Sequence, residues 1–339
     1  MTNIRTLVFD GPHRFHIEER SLPQPGPGEV RIRIGFVGIC GSDLHGYTGE
    51  SGRRVPGMVM GHEASGWIEA LGAGVSDPAV GTPVTFNPAL ACDGTCGHTA
   101  ANRCDELRVI GVAPEIQGAF ADAITVPASR VVPLGPLSLE WGAGVEPMAV
   151  GLQASRRAGV AAGQSVLVVG GGMIGQCVAR AAVLDGASEV IISESLAARR
   201  DQISASGWAA VTPVEVADHG PFDVSFDAVG ISPTAVAAIG AVRKGSTVCF
   251  VGLGHADVTI PLFEVVVPER TIVGTFAYTD SVFEETAEHL AAGRLEVGSL
   301  IGSVEPFDAI ADAFEALATN ERVDAKVLMT TGANGPMEG

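Results

Sequence analysis

Val166–Val169 runs directly into Gly170-Gly-Gly-Met-Ile-Gly175, and a helical stretch follows through Leu184. Few short segments constrain a fold as tightly. G-x-G-x-x-G between a strand and a helix is the first turn of a doubly wound sheet. Gly170 permits the tight turn, Gly172 lets a pyrophosphate approach the backbone, and Gly175 lets helix and strand pack closely. The helix opening at Met173 and Ile174 offers free N–H groups and a positive dipole end to phosphate. Asp185-Gly186-Ala187 ends that helix, and the next strand delivers Glu194, 19 residues beyond Gly175. A carboxylate there accepts hydrogen bonds from both adenosine ribose hydroxyls and repels a 2′-phosphate, so NAD is expected rather than NADP. Arg199 and Arg200 weigh the other way, since arginine accommodates a 2′-phosphate. A glycine triplet alone serves equally well as a packing turn; strand, helix and acid in register make it a cofactor site.

The flanking sequence fits that frame. Ser165–Gly170, Val190–Ser193, Val224–Asp227 and Thr247–Val251 read as strands between Ala-rich helical stretches, which predicts an α/β fold with a buried parallel sheet. Asp227-Ala-Val229-Gly230 and Val251-Gly252-Leu253 end two of these strands, where a nicotinamide is expected; both also make sense as plain strand ends. Residues 1–145 differ, with short strands at Leu7–Phe9, Phe15–Glu18, Val30–Val37, Trp67–Leu71, Thr82–Phe86 and Ala121–Val126 broken by Gly and Pro. That pattern predicts a β-rich domain of barrel type. Leu139–Arg157 has helical spacing, as do Val282–Ala292 and Phe307–Ala318; Lys326–Met329 is the last strand, and residues beyond Gly332 read as a disordered tail. The expected organisation is a β-rich domain over 1–145 and 275–339 around a dinucleotide-binding domain over 146–274.

A second pattern carries chemistry. Gly38-Ile-Cys-Gly-Ser-Asp-Leu-His45 and Gly61-His-Glu63 bring a thiolate (Cys40), an imidazole (His62) and a carboxylate (Glu63) onto two nearby segments that read as Gly-rich loops. Sulfur, nitrogen and oxygen together suit zinc better than magnesium or calcium. Taken singly, Cys40 reads as a small buried hydrophobe and His62 as an ordinary hydrogen-bonded histidine. A zinc with fewer than four protein ligands keeps a position for substrate, so the set points to catalysis.

Charge narrows the partners. Asp+Glu number 39 against Lys+Arg 21, a net −18, which repels nucleic-acid backbones and anionic membranes. Lys244 and Lys326 are the only lysines, read here as composition bias. No apolar run approaches the ~20 residues of a membrane span. The first ten residues carry no secretory signal, so a cytoplasmic enzyme with reduced thiols is expected.

Together, Gly38–His45, Gly61–Glu63, Val145-Glu-Pro-Met148 and Gly170–Gly175 resemble the zinc-dependent medium-chain alcohol dehydrogenases, nearest the sorbitol/polyol and threonine dehydrogenase branch, over Leu7 to about Met329. The resemblance implies a GroES-like catalytic domain beside a Rossmann domain, with substrate between the two. It implies that Cys40 and His62 hold the catalytic zinc, with Glu63 as ligand or exchangeable carboxylate and Glu146 as a further ligand or water-linked group. Ser42 and His45 then relay the substrate proton; for His45 an ordinary loop histidine is the alternative. Asp43 orients His62. Zinc polarises the oxygen of a secondary alcohol, such as a polyol, sugar or vicinal diol, and hydride passes to NAD. A dimer or tetramer is implied.

The cysteine loop departs from that family. Many relatives carry four cysteines for a structural zinc, whereas this chain has Cys92, Cys96 and Cys104. Asp93 or His98 completes a tetrahedral set, or the site has degenerated to free thiols. Arg53 and Arg54 are read as a solvated loop face rather than a site for hydroxyls or phosphate. The rival functions are a zinc-free NADPH-dependent quinone or enone reductase of the same superfamily, and a non-catalytic binding protein on this scaffold.

Overall fold

The structure is a computed structural model that describes residues 2–22 and 24–333. Of the tail expected beyond Gly332, residues 334–339 lie outside the described residues. Two compact units divide the chain, Met1–Glu146 with Phe283–Ala292 and Ile301–Gly339, and Pro147–Val282 with Gly293–Leu300.

In the first unit, Thr2–Gly11 and Arg14–Leu22 form an antiparallel hairpin. Behind it stands a seven-stranded sheet in the order Ile301–Pro306, Lys326–Thr330, Glu29–Gly38, Glu63–Leu71, Pro83–Phe86, Val131–Pro133, with Ala123–Pro127 also paired to Glu29–Gly38. Glu29–Gly38 is the central strand, and Val30, Ile32, Ile34 and Val37 are fully buried among Leu7, Phe9, Ile68, Phe86, Phe120 and Phe314. Burying each such side chain contributes roughly 1.5–3 kcal/mol.

The second unit is a six-stranded parallel sheet in the order Ala209–Val211, Glu189–Ser193, Ser165–Val169, Phe222–Asp227, Val242–Phe250, Thr271–Gly274. Both faces are covered, which is why Ser165–Val169 reads as an unbroken apolar run. Val166 and Val168 pack on one side with Val178, Ala182 and Phe226. Leu167 and Val169 pack on the other with Ile239 and Val248. The strand order reverses beside Ser165–Val169, so the glycine turn sits at the topological switch point of the sheet. This is the α/β, doubly wound architecture expected.

Several local expectations change. Leu139–Arg157 is two helices, Leu139–Ala143 and Val145–Ala158, separated at Gly144. The Gly-rich loops around the metal donors are partly regular structure: Cys40 caps a short helix, Gly41–Tyr47, and Glu63 opens a strand. Ala209–Val211 and Thr271–Gly274, at the two edges of the parallel sheet, carry too short an apolar run to stand out in the sequence. Among the described residues, no helix is long and apolar enough to cross a membrane.

Candidate active site

The site is built on the end of the central strand. Gly38 pairs with Glu63 on one side and with Leu328 on the other. A Cβ on Gly38 would fall 2.2 Å from Glu63 Oε2 and 3.1 Å from Lys326 Cδ, so only glycine leaves the gap across which these two side chains meet. Lys326 Nζ donates to Glu63 Oε2 and to the carbonyl of Ile39 at 2.9 Å. Both ends of this ion pair are buried. Lys326 is therefore part of the site, against the composition-bias reading. For Gly38→Ala we expect a loss of about 1–3 kcal/mol, the usual cost of overpacking. Denaturant unfolding measures it, and a zinc count should show weaker retention.

Cys40 stands at the N-cap of Gly41–Tyr47, where its Sγ accepts the Ser42 N–H at 3.5 Å, and Asp43 Oδ2 accepts the Cys40 N–H at 3.2 Å. The far end of this helix is anchored by Tyr47, stacked on Phe15 with its hydroxyl donating to Glu315 Oε2 at 2.9 Å. Ser42 and His45 lie on the exposed face of the same helix, three residues apart. His45 Nδ1 is 2.8 Å from Glu50 Oε2, a partner sequence reasoning missed. Asp43 is fully buried, with Oδ1 3.5 Å from Arg54 Nη2 and 3.7 Å from His62 Nδ1. Arg53 is exposed, but Arg54 is buried against Asp43, which corrects its reading as part of a solvated face. The 3.7 Å separation is an electrostatic contact rather than a hydrogen bond.

The donor atoms of Cys40, His62 and Glu63 all lie within 4.8 Å of one another. Glu146 stands outside that set, buried in the first turn of Val145–Ala158, close enough for its charge to act on His62. Two observations fit a metal here. Glu63 Oε1 and His62 Nδ1 are buried without hydrogen-bond partners, a costly state for polar atoms. Burial pushes the His62 imidazole toward the neutral form, yet Asp43, then Cys40 and Glu146, outweigh it and carry its pKa up to about 10. A pocket whose anions grip a proton so strongly is short of a cation.

The predicted cofactor residues also converge. Gly170, at φ +100°, packs beneath Val229, and a Cβ on Gly175 would fall 1.8 Å from the Gly170 carbonyl oxygen. A Cβ on Gly172 would meet nothing, and no side chain caps the helix Met173–Leu184, so its first N–H groups, Met173 and Ile174 among them, have no capping acceptor and suit a phosphate. Asp227 Oδ1 accepts the N–H groups of Val229 and Gly230, and its carbonyl accepts those of Val251 and Gly252. Three adjacent strand ends thus meet at the turn. Glu194 Oε2 accepts the Gly171 N–H at 3.0 Å and Arg199 Nη1 at 3.1 Å. Its Oε1 accepts the Leu196 N–H at 2.8 Å. Burial pushes its pKa up, but the Leu196 amide and Arg199 outweigh it and hold the acid below its ordinary value. Cys92, Cys96 and Cys104 gather with His98 in a second donor cluster, in the lobe between Ala89–Leu90 and Arg108–Val109.

Comparison with known proteins agrees with both halves of this picture. Residues 26–136 match the alcohol dehydrogenase GroES-like domain and residues 173–292 the zinc-binding dehydrogenase domain. L-galactonate-5-dehydrogenase of Escherichia coli (strain K12) is 30% identical over 97% of this chain and 100% of its own. Sorbitol dehydrogenase of Arabidopsis thaliana is 33% identical over 91% of this chain and 90% of its own. The crystal structure of 2R,3R-butanediol dehydrogenase from Bacillus subtilis superposes with a TM-score of 0.88 at 28% identity, covering 97% of this chain and 100% of that one. With these likenesses running through both units, the chain belongs to the zinc-dependent medium-chain alcohol dehydrogenase family, in its polyol dehydrogenase branch.

Proposed function

We propose that this protein oxidises a secondary alcohol, a polyol, sugar acid or vicinal diol, with NAD as hydride acceptor and zinc at Cys40, His62, Glu63 and Glu146. The observation that carries it is the buried three-donor cluster with its unpartnered Glu63 Oε1, on a chain that also holds the glycine turn and Glu194. When bound, zinc supplies Lewis-acid polarisation of the alcohol oxygen. The protein's own part is positioning and proton transfer. Lys326 occupies Glu63 Oε2 and leaves Oε1 for the cluster, while Asp43 and Arg54 set the charge behind His62. Ser42 takes the substrate proton and His45 passes it outward, steadied by Glu50. Gly170, Gly172, Met173, Ile174 and Gly175 cradle the pyrophosphate, Glu194 takes the ribose, and Val229, Val251 and Gly252 line the nicotinamide.

The test is NAD reduction across polyols, sugar acids and vicinal diols, before and after metal removal. Turnover of at least one, lost with chelator and restored by zinc, is expected. No turnover by the zinc-loaded protein on any of them would sink the reading. Cofactor choice has its own prediction. In Glu194→Gln the repelling charge goes and Arg199 is released toward a 2′-phosphate. The NAD-over-NADP ratio of kcat/KM should then fall about 10- to 100-fold, the worth of one or two charged hydrogen bonds.

A second copy of the chain, in the cytoplasm, is the proposed partner. Thr271–Gly274 is an edge strand, and the segment before it exposes Leu262, Phe263, Val266 and Val267, with Phe263 83% exposed. An open edge beside such a patch favours self-association.

A further inference from the structure

The glycine turn is pinned as far as Gly171 and free beyond it. Gly170 donates its N–H to the Ser193 carbonyl at 2.8 Å. Both backbone polar groups of Gly171 are then taken by side chains from two different elements. Its N–H goes to Glu194 Oε2, and its carbonyl accepts from Gln176 Nε2, each at 3.0 Å. Gln176 is the fourth residue of the helix Met173–Leu184 and is buried. Gly172 differs: among the described residues nothing accepts its N–H.

These two facts belong to one peptide unit. The Gly171 carbonyl and the Gly172 N–H lie on a single planar trans peptide and point in opposite directions. Holding the carbonyl toward Gln176 therefore aims the N–H the opposite way. A peptide between two glycines needs such a hold, because with no Cβ on either side it can rotate into orientations that other residues forbid. Reversed, it would turn a carbonyl oxygen, instead of an N–H, toward a phosphate. Gly171 cannot be stiffened by substitution, since a Cβ there would fall 2.4 Å from Ile203 Cδ1 and 3.2 Å from Glu194 Oε2. The fingerprint G-x-G-x-x-G itself leaves position 171 open and stops short of position 176.

We propose that Gln176 is a positioning residue for the cofactor's pyrophosphate: by holding the Gly171 carbonyl it presents the Gly172 N–H to a phosphate oxygen, beside those of Met173 and Ile174. Glu194 holds the same glycine from its other side, so the ribose acceptor and the phosphate donor are braced against one residue. The proposal rests on NAD being the cofactor, and its test needs neither zinc nor turnover. Titration calorimetry on the wild type and on Gln176→Met would use three probes. NADH and ADP-ribose carry the pyrophosphate; adenosine carries only the ribose and the base. Methionine keeps the unbranched length of glutamine and removes the donor. NADH and ADP-ribose should each bind Gln176→Met about 10-fold more weakly, the effect of losing one hydrogen bond to a charged group, while adenosine changes by less than about 2-fold. Equal losses with all three probes would make Gln176 a structural residue of the helix, and no loss with any would leave the Gly172 N–H independent of it; either overturns the proposal. A second measurement uses the wild type alone. The Gly172 amide should be protected from hydrogen exchange by ADP-ribose and not by adenosine, and an unprotected amide in the saturated ADP-ribose complex would also overturn it. Failure of the NAD reading would show separately, in a wild type that binds ADP-ribose no more tightly than adenosine, and this inference would fall with it.

Discussion

Cys40→Ser loses one zinc per chain and at least ~10³-fold in kcat/KM, a barrier rise of about 4 kcal/mol, because the Lewis acid goes with its thiolate. This variant is informative because it spares the fold. Cys40 is also the N-cap of Gly41–Tyr47, and serine is among the best residues at that position. The helix carrying Ser42, Asp43 and His45 therefore stays formed, and thermal unfolding in the presence of chelator should match the wild type to within about 1 kcal/mol. Atomic absorption and steady-state kinetics read the two effects separately. Full activity with one zinc missing would remove Cys40 from the mechanism.

Lys326→Met should be the most destabilising single change near the site. It leaves the Glu63 carboxylate buried without its cation, and breaking such a pair from one side costs about 3–5 kcal/mol. The cost depends on what else is bound. A metal ion facing Glu63 Oε1 supplies the positive charge that the lysine no longer does, so the variant should lose more stability with chelator than with zinc. Adding Glu63→Gln to Lys326→Met removes the stranded charge and should recover part of the loss. Denaturant melts of the two variants, each with zinc and with chelator, test this. Equal losses in both conditions would mean that Glu63 does not face the metal.

The outline of the fold was legible where one physical signal dominates. Val166–Val169 is buried on both faces and followed by Gly170 and Gly175, where only glycine fits, so strand, turn and helix could be read together. The helix Gly41–Tyr47 could not. Its sequence, Gly-Ser-Asp-Leu-His-Gly-Tyr, contains poor helix formers, and it exists because Cys40 and Asp43 cap it and Tyr47 is packed at its end. Cys40, His62 and Glu63 were legible as donors because their chemistry is unusual in combination. Their supports were not. Lys326 looks like any isolated lysine until the sheet sets it against Glu63, 263 residues away. Arg54 reads as surface until Asp43 draws it inward. Between Asp93 and His98 the sequence offers no preference, since only the turn shows that Asp93 already holds the Thr95 N–H.

The ion pair between Glu63 and Lys326 also orders events during synthesis. Cys40, His62 and Glu63 leave the ribosome early, but the strand that carries Lys326 follows more than two hundred residues later, after the whole parallel-sheet unit. Until then the central strand Glu29–Gly38 has an open edge where Lys326–Thr330 will pair. At ~5–20 residues per second, that is a wait of tens of seconds at the slower rates. All of the second unit, Pro147–Val282 with Gly293–Leu300, precedes residue 326 and can fold meanwhile. The metal pocket is thus a late product of chain completion, and a chain stopped before residue 326 carries the donors without the counter-charge that lets Glu63 be buried.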